Sequence, residues 1–444
     1  MTRVTRQRIT QAVGMLLLLV AGTLAIPARL GAQQVTFTKD VAPILHRSCA
    51  GCHRPGENAP MTLLTYHEVR PWARAIKERV ARRQMPPWFL DRHIGIQKYK
   101  NDPSLSDEEI ATIVGWVDAG SPEGNRADMP PLPQMSDGTG WDIGPPDLIV
   151  RYTPYTVPAT GPDLYPDVIV PFGTTRDRYI KAIQSRPVGD ASRKVVHHAL
   201  SYAVDAGATS LTPSSADADS STAAQQFLVE YASGKRGEIY PPDTGVLLKA
   251  GQNARVAYHL HSIGEEVKAE FELGVIFYPE GTVPRHIRWS KQLAQHQTPL
   301  DLAPGQVTRI DGYERLNKAA IITAFQPHMH IRGKYQCLEA IYPGQPVRTE
   351  MLTCAAWDYN WHTIYNYEDD VAPVVPAGTL LHVISWMDNS TANKFNPDAK
   401  NWVGDGGRTI DEMAFAWIGW YDLTDAEYKQ KTAERKAARG RSSN

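Results

Sequence analysis

Cys49-Ala50-Gly51-Cys52-His53 is the stretch that most constrains this chain of 444 residues. Two thiols at this spacing can each add to a vinyl group of haem, and the adjacent imidazole is placed to bind the iron. Covalent haem belongs to exported proteins, so one motif implies both a cofactor and a compartment. The competing explanations are a C-x-x-C redox pair and half of a zinc site. The chain holds four cysteines, with no second C-x-x-C to complete a four-thiolate zinc site. The flanks also lack a thioredoxin-like βαβ pattern.

The start of the chain agrees with export. Arg3, Arg6 and Arg8 precede an apolar run over residues 12–26, followed by the small residues Gly31 and Ala32. This is the order of a secretory signal peptide, taken as residues 1–32. The apolar run is shorter than the ~20 residues that span a bilayer as a helix, which makes an uncleaved anchor the weaker alternative. No other segment reads as membrane-spanning. The expectation is a protein of the bacterial periplasm with no stable span once the signal is removed. A formal net charge of −1 gives no reason to expect nucleic acid as a partner.

With Cys49 and Cys52 assigned to haem, Cys337 and Cys354 remain in an oxidising compartment. Tyr342-Pro343-Gly344-Gln345-Pro346 reads as a turn midway between them. A hairpin centred there sets the two residues opposite each other and predicts a cross-strand disulfide. Two buried free thiols are the alternative.

Residues 33–126 carry helical signals. Residues 77–83 form a basic helical stretch, and Ser106 precedes Asp107, Glu108 and Glu109 as an N-cap would. Ile110, Ile113, Val114 and Val117 then recur at helical spacing, and Gly120 is a natural stop. This is the pattern of a small all-α cytochrome c domain. Residues 127–146, rich in Pro, Gly and Asp, read as a linker. Beyond them, short alternating apolar runs fall at 147–152, 195–204, 255–261, 271–278, 319–325, 335–342, 380–386 and 414–421. Runs of this kind, broken by Gly and Pro, predict two antiparallel, jelly-roll-like β-sandwich domains over 147–298 and 299–423. Residues 205–224 read as an exposed loop and 424–444 as a charged tail.

A thioether on the haem iron makes an electron-transfer centre, whereas an open position favours catalysis. Met85, in the Pro-stiffened Gln84-Met85-Pro86-Pro87-Trp88 turn after a helix, is the candidate. Met61, His67 and His93 are its rivals.

His46, His53, His67 and His93 lie before residue 126, which leaves ten of the 14 histidines in the β region. His197 and His198 are adjacent, while His259 with His261 and His328 with His330 are H-x-H pairs. Side chains at i and i+2 of a strand share a face, so an H-x-H strand presents two imidazoles to one ion. An adjacent pair ordinarily points to opposite faces, and His197 and His198 can share a metal only if the strand bends or ends there. Imidazole-rich sites without thiolates suit Cu or Zn, and a thioether tilts the choice towards Cu(I).

Four motifs follow one another in this region: Val196-His197-His198-Ala199, Tyr258-His259-Leu260-His261-Ser262, Pro327-His328-Met329-His330-Ile331-Arg332-Gly333-Lys334 and Asp411-Glu412-Met413. In their order and spacing, residues 147–423 resemble the copper type II, ascorbate-dependent monooxygenases. This is the family of peptidylglycine α-hydroxylating monooxygenase and dopamine β-monooxygenase, here joined to an N-terminal c-type cytochrome. The resemblance implies two copper ions. An electron-transfer copper would sit on His197, His198 and His261, with His259 one pleat away as a competitor. An oxygen-binding copper would sit on His328, His330 and Met413. It implies hydroxylation of a C–H bond of a small organic substrate with O2, using an ascorbate-like donor or redox protein, with the fused haem as a further source of electrons. His362 and His382 are then ordinary or supporting histidines, and His286 and His296 surface positions.

Departures from the family narrow the substrate. Animal members are disulfide-rich, whereas this β region has one candidate bridge. Peptide-amidating members hold a substrate carboxylate with an Arg, an Asn and a Tyr at positions that here are Gln326, Phe415 and Trp417. A peptide ending in glycine is therefore not the expected substrate. Phe415, Trp417, Trp420 and Tyr421 either line an apolar pocket or belong to the core. The alternatives to catalysis are a periplasmic electron-transfer or copper-binding cytochrome, and a sandwich that docks the cytochrome to a larger complex.

Overall fold

The computed structural model describes residues 34–57, 59–133, 140–207, 225–294 and 300–442. The expected signal peptide, residues 208–224 of the expected loop, residues 134–139 of the expected linker, and His296 lie outside the described residues. No helix among the described residues is long and apolar enough to cross a membrane.

Helices begin where the sequence caps them. Ser106 Oγ accepts the Glu109 N–H at 3.2 Å, and Glu109 Oε2 accepts the Ser106 N–H at 2.9 Å. This reciprocal cap starts the helix Asp107–Asp118. Gly120 follows it at φ +88°, a left-handed conformation open to glycine without steric cost. A second cap, Thr65 with Glu68, starts Tyr66–Val69. With Phe37–Val41, Ala42–Ser48 and Ala73–Ala81, these helices enclose Phe37, Leu45, Val69, Ile113 and Trp116.

The all-α expectation for residues 33–126 gives way at Leu90–Gly95. That segment is a strand at the edge of a distant sheet, with Leu90 opposite Ala355 and Gly95 opposite Thr353. Aromatic burial draws it there. The Trp88 and Tyr365 ring centroids lie 4.8 Å apart, and those of Tyr99 and Tyr367 5.2 Å. The Tyr99 hydroxyl also hydrogen-bonds Thr353 Oγ1 at 2.8 Å. The expected linker is likewise docked at its end. Trp141 is buried with Ile143 and Ala182, and the Arg186 guanidinium lies 3.9 Å from its ring centroid.

The remainder is mostly β-sheet. Every apolar run expected to form a strand does so: Leu148–Arg151, Val196–Val204, Asn253–Leu260, Val267–Phe277, Ala319–Met329, Gly333–Tyr342, Leu380–Asp388 and Ala414–Leu423. Four strands, in the order Asp167–Pro171, Asn253–Leu260, Val196–Val204 and Gln225–Ala232, make one layer. Its Val196, Ala203, Leu228 and Val256 pack against Ile180, Ile183, Val246 and Leu273. A second layer, containing Arg348–Ala356, Gly333–Tyr342, Leu380–Asp388 and Val307–Arg315, sets Leu338 and Val383 against Ile322, Phe325 and Ile418.

A single long sheet backs both layers. His286–Leu293 pairs antiparallel with Ala414–Leu423 and parallel with Thr244–Leu248, where His286 meets Thr244 and Ile287 meets Gly245. Leu293 belongs to the second core, so His286–Leu293, which precedes the expected boundary at residue 298, pairs with strands of both units.

Cys337 stands opposite Cys354 across the strand pair Gly333–Tyr342 and Arg348–Ala356, and the two form the expected disulfide. The bond closes a sequence separation of 17 residues. Its loss in a Cys337→Ser, Cys354→Ser double variant should therefore cost about 3 kcal/mol. Urea unfolding would measure this. A change below about 1 kcal/mol would show that the bond adds little beyond the surrounding core.

Candidate metal centre

The helix Gly189–Val195 runs directly into the strand Val196–Val204. His198 pairs with His259, and Val196 with Leu260. His197 is thus an extra residue opposite a single step of its partner, a β-bulge. The bulge resolves the difficulty of adjacent histidines, since both rings enter one cluster with centroids 5.5 Å apart.

His259 completes a compact trio. Its ring centroid is 4.8 Å from that of His197 and 5.2 Å from that of His198. Ligand atoms of all three residues lie within 4.8 Å of one another. His261 stands further out, 6.3 Å from His197. His328 and His330 share a face at the end of Ala319–Met329, 5.7 Å apart. His328 is also 6.1 Å from His198, so the two expected groups form one continuous cluster. Met413 immediately precedes Ala414, the partner of Met329, and the register sets it beside His330. Its side chain packs against Tyr202, Phe227, Phe415 and Trp417.

His362 sits at the centre of this cluster, 4.8 Å from His198, 5.1 Å from His328 and 5.7 Å from His197. No H-x-H spacing marks it in the sequence. His382, by contrast, is held between Glu339 and Asp311 at 2.8 and 2.7 Å and has a partner on each ring nitrogen.

Each outer ring is oriented by an acceptor. His259 donates from Nε2 to Asp163 at 2.9 Å, with Tyr165 stacked at 4.8 Å. His330 donates from Nδ1 to the Asp411 carbonyl at 3.0 Å. The adjacent Glu412 carboxylate accepts the backbone N–H of His330 at 3.0 Å and of Arg332 at 2.7 Å. Burial pushes the Glu412 carboxyl up to about 7, against the pull of those hydrogen bonds. His362 donates from Nδ1 to Glu230 at 3.0 Å. The Gln326 amide donates to the other Glu230 oxygen, and Lys235 donates to Gln326 at 3.2 Å. Gln326 is therefore already engaged.

Of the two readings of the aromatic residues, core applies to Phe415, Trp417 and Trp420, which are buried, while Tyr421 is half-buried. Phe415 stacks on His328 at 4.4 Å and Trp417 on Phe227 at 3.8 Å. Trp420 lies in the second core, with Tyr421 packed against it.

Burial governs the charge of the cluster. It pushes His197 down to about 2 and His330 to about 4, with neighbouring imidazoles adding to the effect. His198 and His328 fall well below the usual range for the same reason. All four rings are thus neutral at physiological pH, with lone pairs open to a metal. His197 Nδ1, His198 Nδ1, His328 Nδ1 and His362 Nε2 are buried with no hydrogen-bond partner. An unmet polar group of this kind costs about 1–3 kcal/mol, and a bound ion would satisfy it. This donor set fits a metal.

The Cys49–His53 segment follows the second helix of the chain. Cys49 ends the helix Ala42–Ser48, and burial pushes its thiol up to about 12. His53 donates from Nδ1 to the Met61 carbonyl at 3.2 Å, leaving Nε2 for a metal. Cys52 lines a cavity of about 500 Å³ together with Arg186, Arg193, Lys235 and Arg236. Neither Cys49 nor His53 is among the residues that line it. Met85 lines a different cavity, with Trp88, Leu90 and Ile110, so it is not brought into the cavity that Cys52 lines. Of its rivals, Met61 packs in the helical core beside Cys49, while His67 and His93 are exposed.

No protein-family model matches the chain, and no curated protein matches it. Among solved structures it is similar to one titled "Structure of allantoicase", at 8% identity over 50% of this chain and 77% of that one, with a TM-score of 0.17. It is also similar to the tandem CBM22-1-CBM22-2 domain of Paenibacillus barcinonensis Xyn10C, at 6% identity over 62% and 93%, with a TM-score of 0.18. A third is the infectious bursal disease virus VP2 subviral particle, at 10% identity over 62% and 71%, with a TM-score of 0.19. Likeness at this level carries no argument about fold or function.

Histidines held neutral in the fold but titrating near 6.5 when unfolded bind more protons in the unfolded chain. The metal-free protein should therefore lose stability as pH falls below about 6.5. Thermal melts at pH 7 and pH 5 would show a lower Tm at pH 5. An unchanged Tm would mean that the rings are not held neutral by burial.

Proposed function

We propose that this chain is an exported haem- and copper-containing monooxygenase that hydroxylates a C–H bond of a small organic substrate with dioxygen. The observation that carries this reading is the set of buried imidazole nitrogens of His197, His198 and His328 that make no hydrogen bond, with His259 and His330 in the same cluster. Copper bound there would supply one-electron chemistry with dioxygen: one ion on His328, His330 and Met413, the other on His197, His198 and His259, with His261 as the outer neighbour. His259 replaces His261 in the first set because its ring lies closer to both partners.

The chain's own residues prepare this chemistry. Asp163 and the Asp411 carbonyl fix which nitrogen of His259 and His330 carries the proton, leaving the other as a ligand. Phe415, stacked on His328, keeps water from that ring. Met413 packs against the buried aromatic cluster of Tyr202, Phe227, Phe415 and Trp417. With Gln326 engaged by Glu230 and Lys235, no carboxylate clamp is present among these positions, which argues against a peptide carboxylate as substrate.

In this reading the helices between Phe37 and Asp118 form a cytochrome c domain, and the two double layers of sheet are two jelly-roll-like sandwiches. Cys49, Cys52 and His53 would hold haem as an electron source. A Cβ placed on Gly234 would lie 3.8 Å from Cys52 Sγ and 3.5 Å from the Trp361 ring. Gly234 therefore separates the attachment thiol from Trp361, which directly precedes His362. This packing supports electron supply from the helical domain to the histidine cluster.

Metal counts on the exported protein should give a copper-to-haem ratio of about two, with reductant-driven oxygen uptake. Met413→Ala should abolish most of that uptake, and Trp361→Leu should slow copper reduction by haem in stopped-flow mixing. Oxygen uptake unchanged in Met413→Ala would overturn the oxygenase in favour of an electron-transfer cytochrome.

A further inference from the structure

Neither H-x-H pair contains His362, yet its surroundings are those of a ligand. The residue is 3% exposed, and the Glu230 beneath it 2%. Glu230 Oε1 accepts the His362 Nδ1–H at 3.0 Å, which fixes the tautomer and leaves the Nε2 lone pair free. That Nε2 is buried with no partner. A carboxylate holding an imidazole so that its other nitrogen is bare is the arrangement that prepares a histidine for a metal.

Its neighbours supply the remaining donors. The His198 and His328 rings lie 4.8 and 5.1 Å from it; His328 Nδ1 is buried without a hydrogen bond, and His198 Nδ1 faces Glu230 Oε1 at 3.5 Å. Ligand atoms of His198, Glu230 and His362 fall within 4.8 Å of one another. Glu230 is itself pinned by Gln326 on its other oxygen, so the carboxylate cannot turn away.

We propose that His362 is a metal ligand, that it forms a seat with His198 on the side of the cluster next to His328, and that Glu230 is the residue that positions it. The class of ion is a first-row divalent or monovalent metal that accepts imidazole, namely copper or zinc. The inference rests on the functional reading only in treating the cluster as a metal centre. It requires neither oxygen chemistry nor haem.

Cobalt(II) titration of the metal-free full chain, followed by its visible d–d absorption, tests this without oxygen or a reductant. His362→Gln should weaken cobalt binding and change the band shape. Glu230→Gln, whose side-chain oxygen still accepts the Nδ1–H, should retain the band with affinity reduced roughly 10–100-fold. Glu230→Leu should match the loss seen in His362→Gln. Exogenous imidazole should restore the band in His362→Gly, which a purely structural role would not allow. Should the variants fail to fold, X-ray absorption on the wild-type zinc-loaded protein decides by the number of imidazoles per ion. Variants that keep the wild-type band and affinity, or a spectrum with no change on removing His362, overturn the proposal. A protein that binds cobalt through His362 but takes up no oxygen would sink the monooxygenase and leave this ligand in place.

Discussion

Leaving His197, His198, His328 and His362 each with a buried nitrogen that makes no hydrogen bond costs the metal-free chain about 1–3 kcal/mol apiece. A fold does not collect such groups in one place by packing alone, because an apolar residue of the same volume would remove the penalty. The surrounding structure is arranged to tolerate it. The rings are supplied by Val196–Val204, Asn253–Leu260, Ala319–Met329 and the segment after Trp361, which come from both halves of the chain. Holding them together requires the long sheet that runs unbroken behind both layers, and so the parallel contact between His286–Leu293 and Thr244–Leu248. Local sheet connectivity and site geometry are in this sense one constraint.

Much of this could be read from the residues. Alternation gave every expected strand, because a period of two is visible wherever one face is buried and the other is not. The cap at Ser106 and the stop at Gly120 were legible for the same local reason. The Cys337–Cys354 bond followed from a turn-rich segment midway between two cysteines. Such features depend on neighbours within a few residues, where sequence and geometry are directly linked.

The features that escaped depend on distant partners. Leu90–Gly95 has no strong strand pattern of its own, and its conformation is decided by Tyr365 and Tyr367 more than 260 residues away in sequence. The bulge at His197 is invisible without the register of Asn253–Leu260. His362 has neither H-x-H spacing nor a neighbouring ligand, and its place is set by Glu230 at a separation of 132 residues. Gln326 looked like a missing substrate contact when compared with the family pattern. In the fold it is a donor to Glu230, which gives the residue a structural reason independent of substrate.

Polar contacts around the cluster also cross between the halves. Asp163 accepts both His259 at 2.9 Å and Thr409 at 2.8 Å, and Tyr359, stacked on His197 at 4.9 Å, hydrogen-bonds the same threonine at 3.2 Å. Glu230 on the first half takes His362 and Gln326 on the second. Hydrogen bonds to charged groups contribute about 1.5–3 kcal/mol each, and these share partners, so breaking one exposes the next. Separating the halves would therefore break the orienting contacts and open the histidine cluster together. The spacing between its two groups is consequently a property of the packed seam, held by the same carboxylates that set the tautomers of the rings.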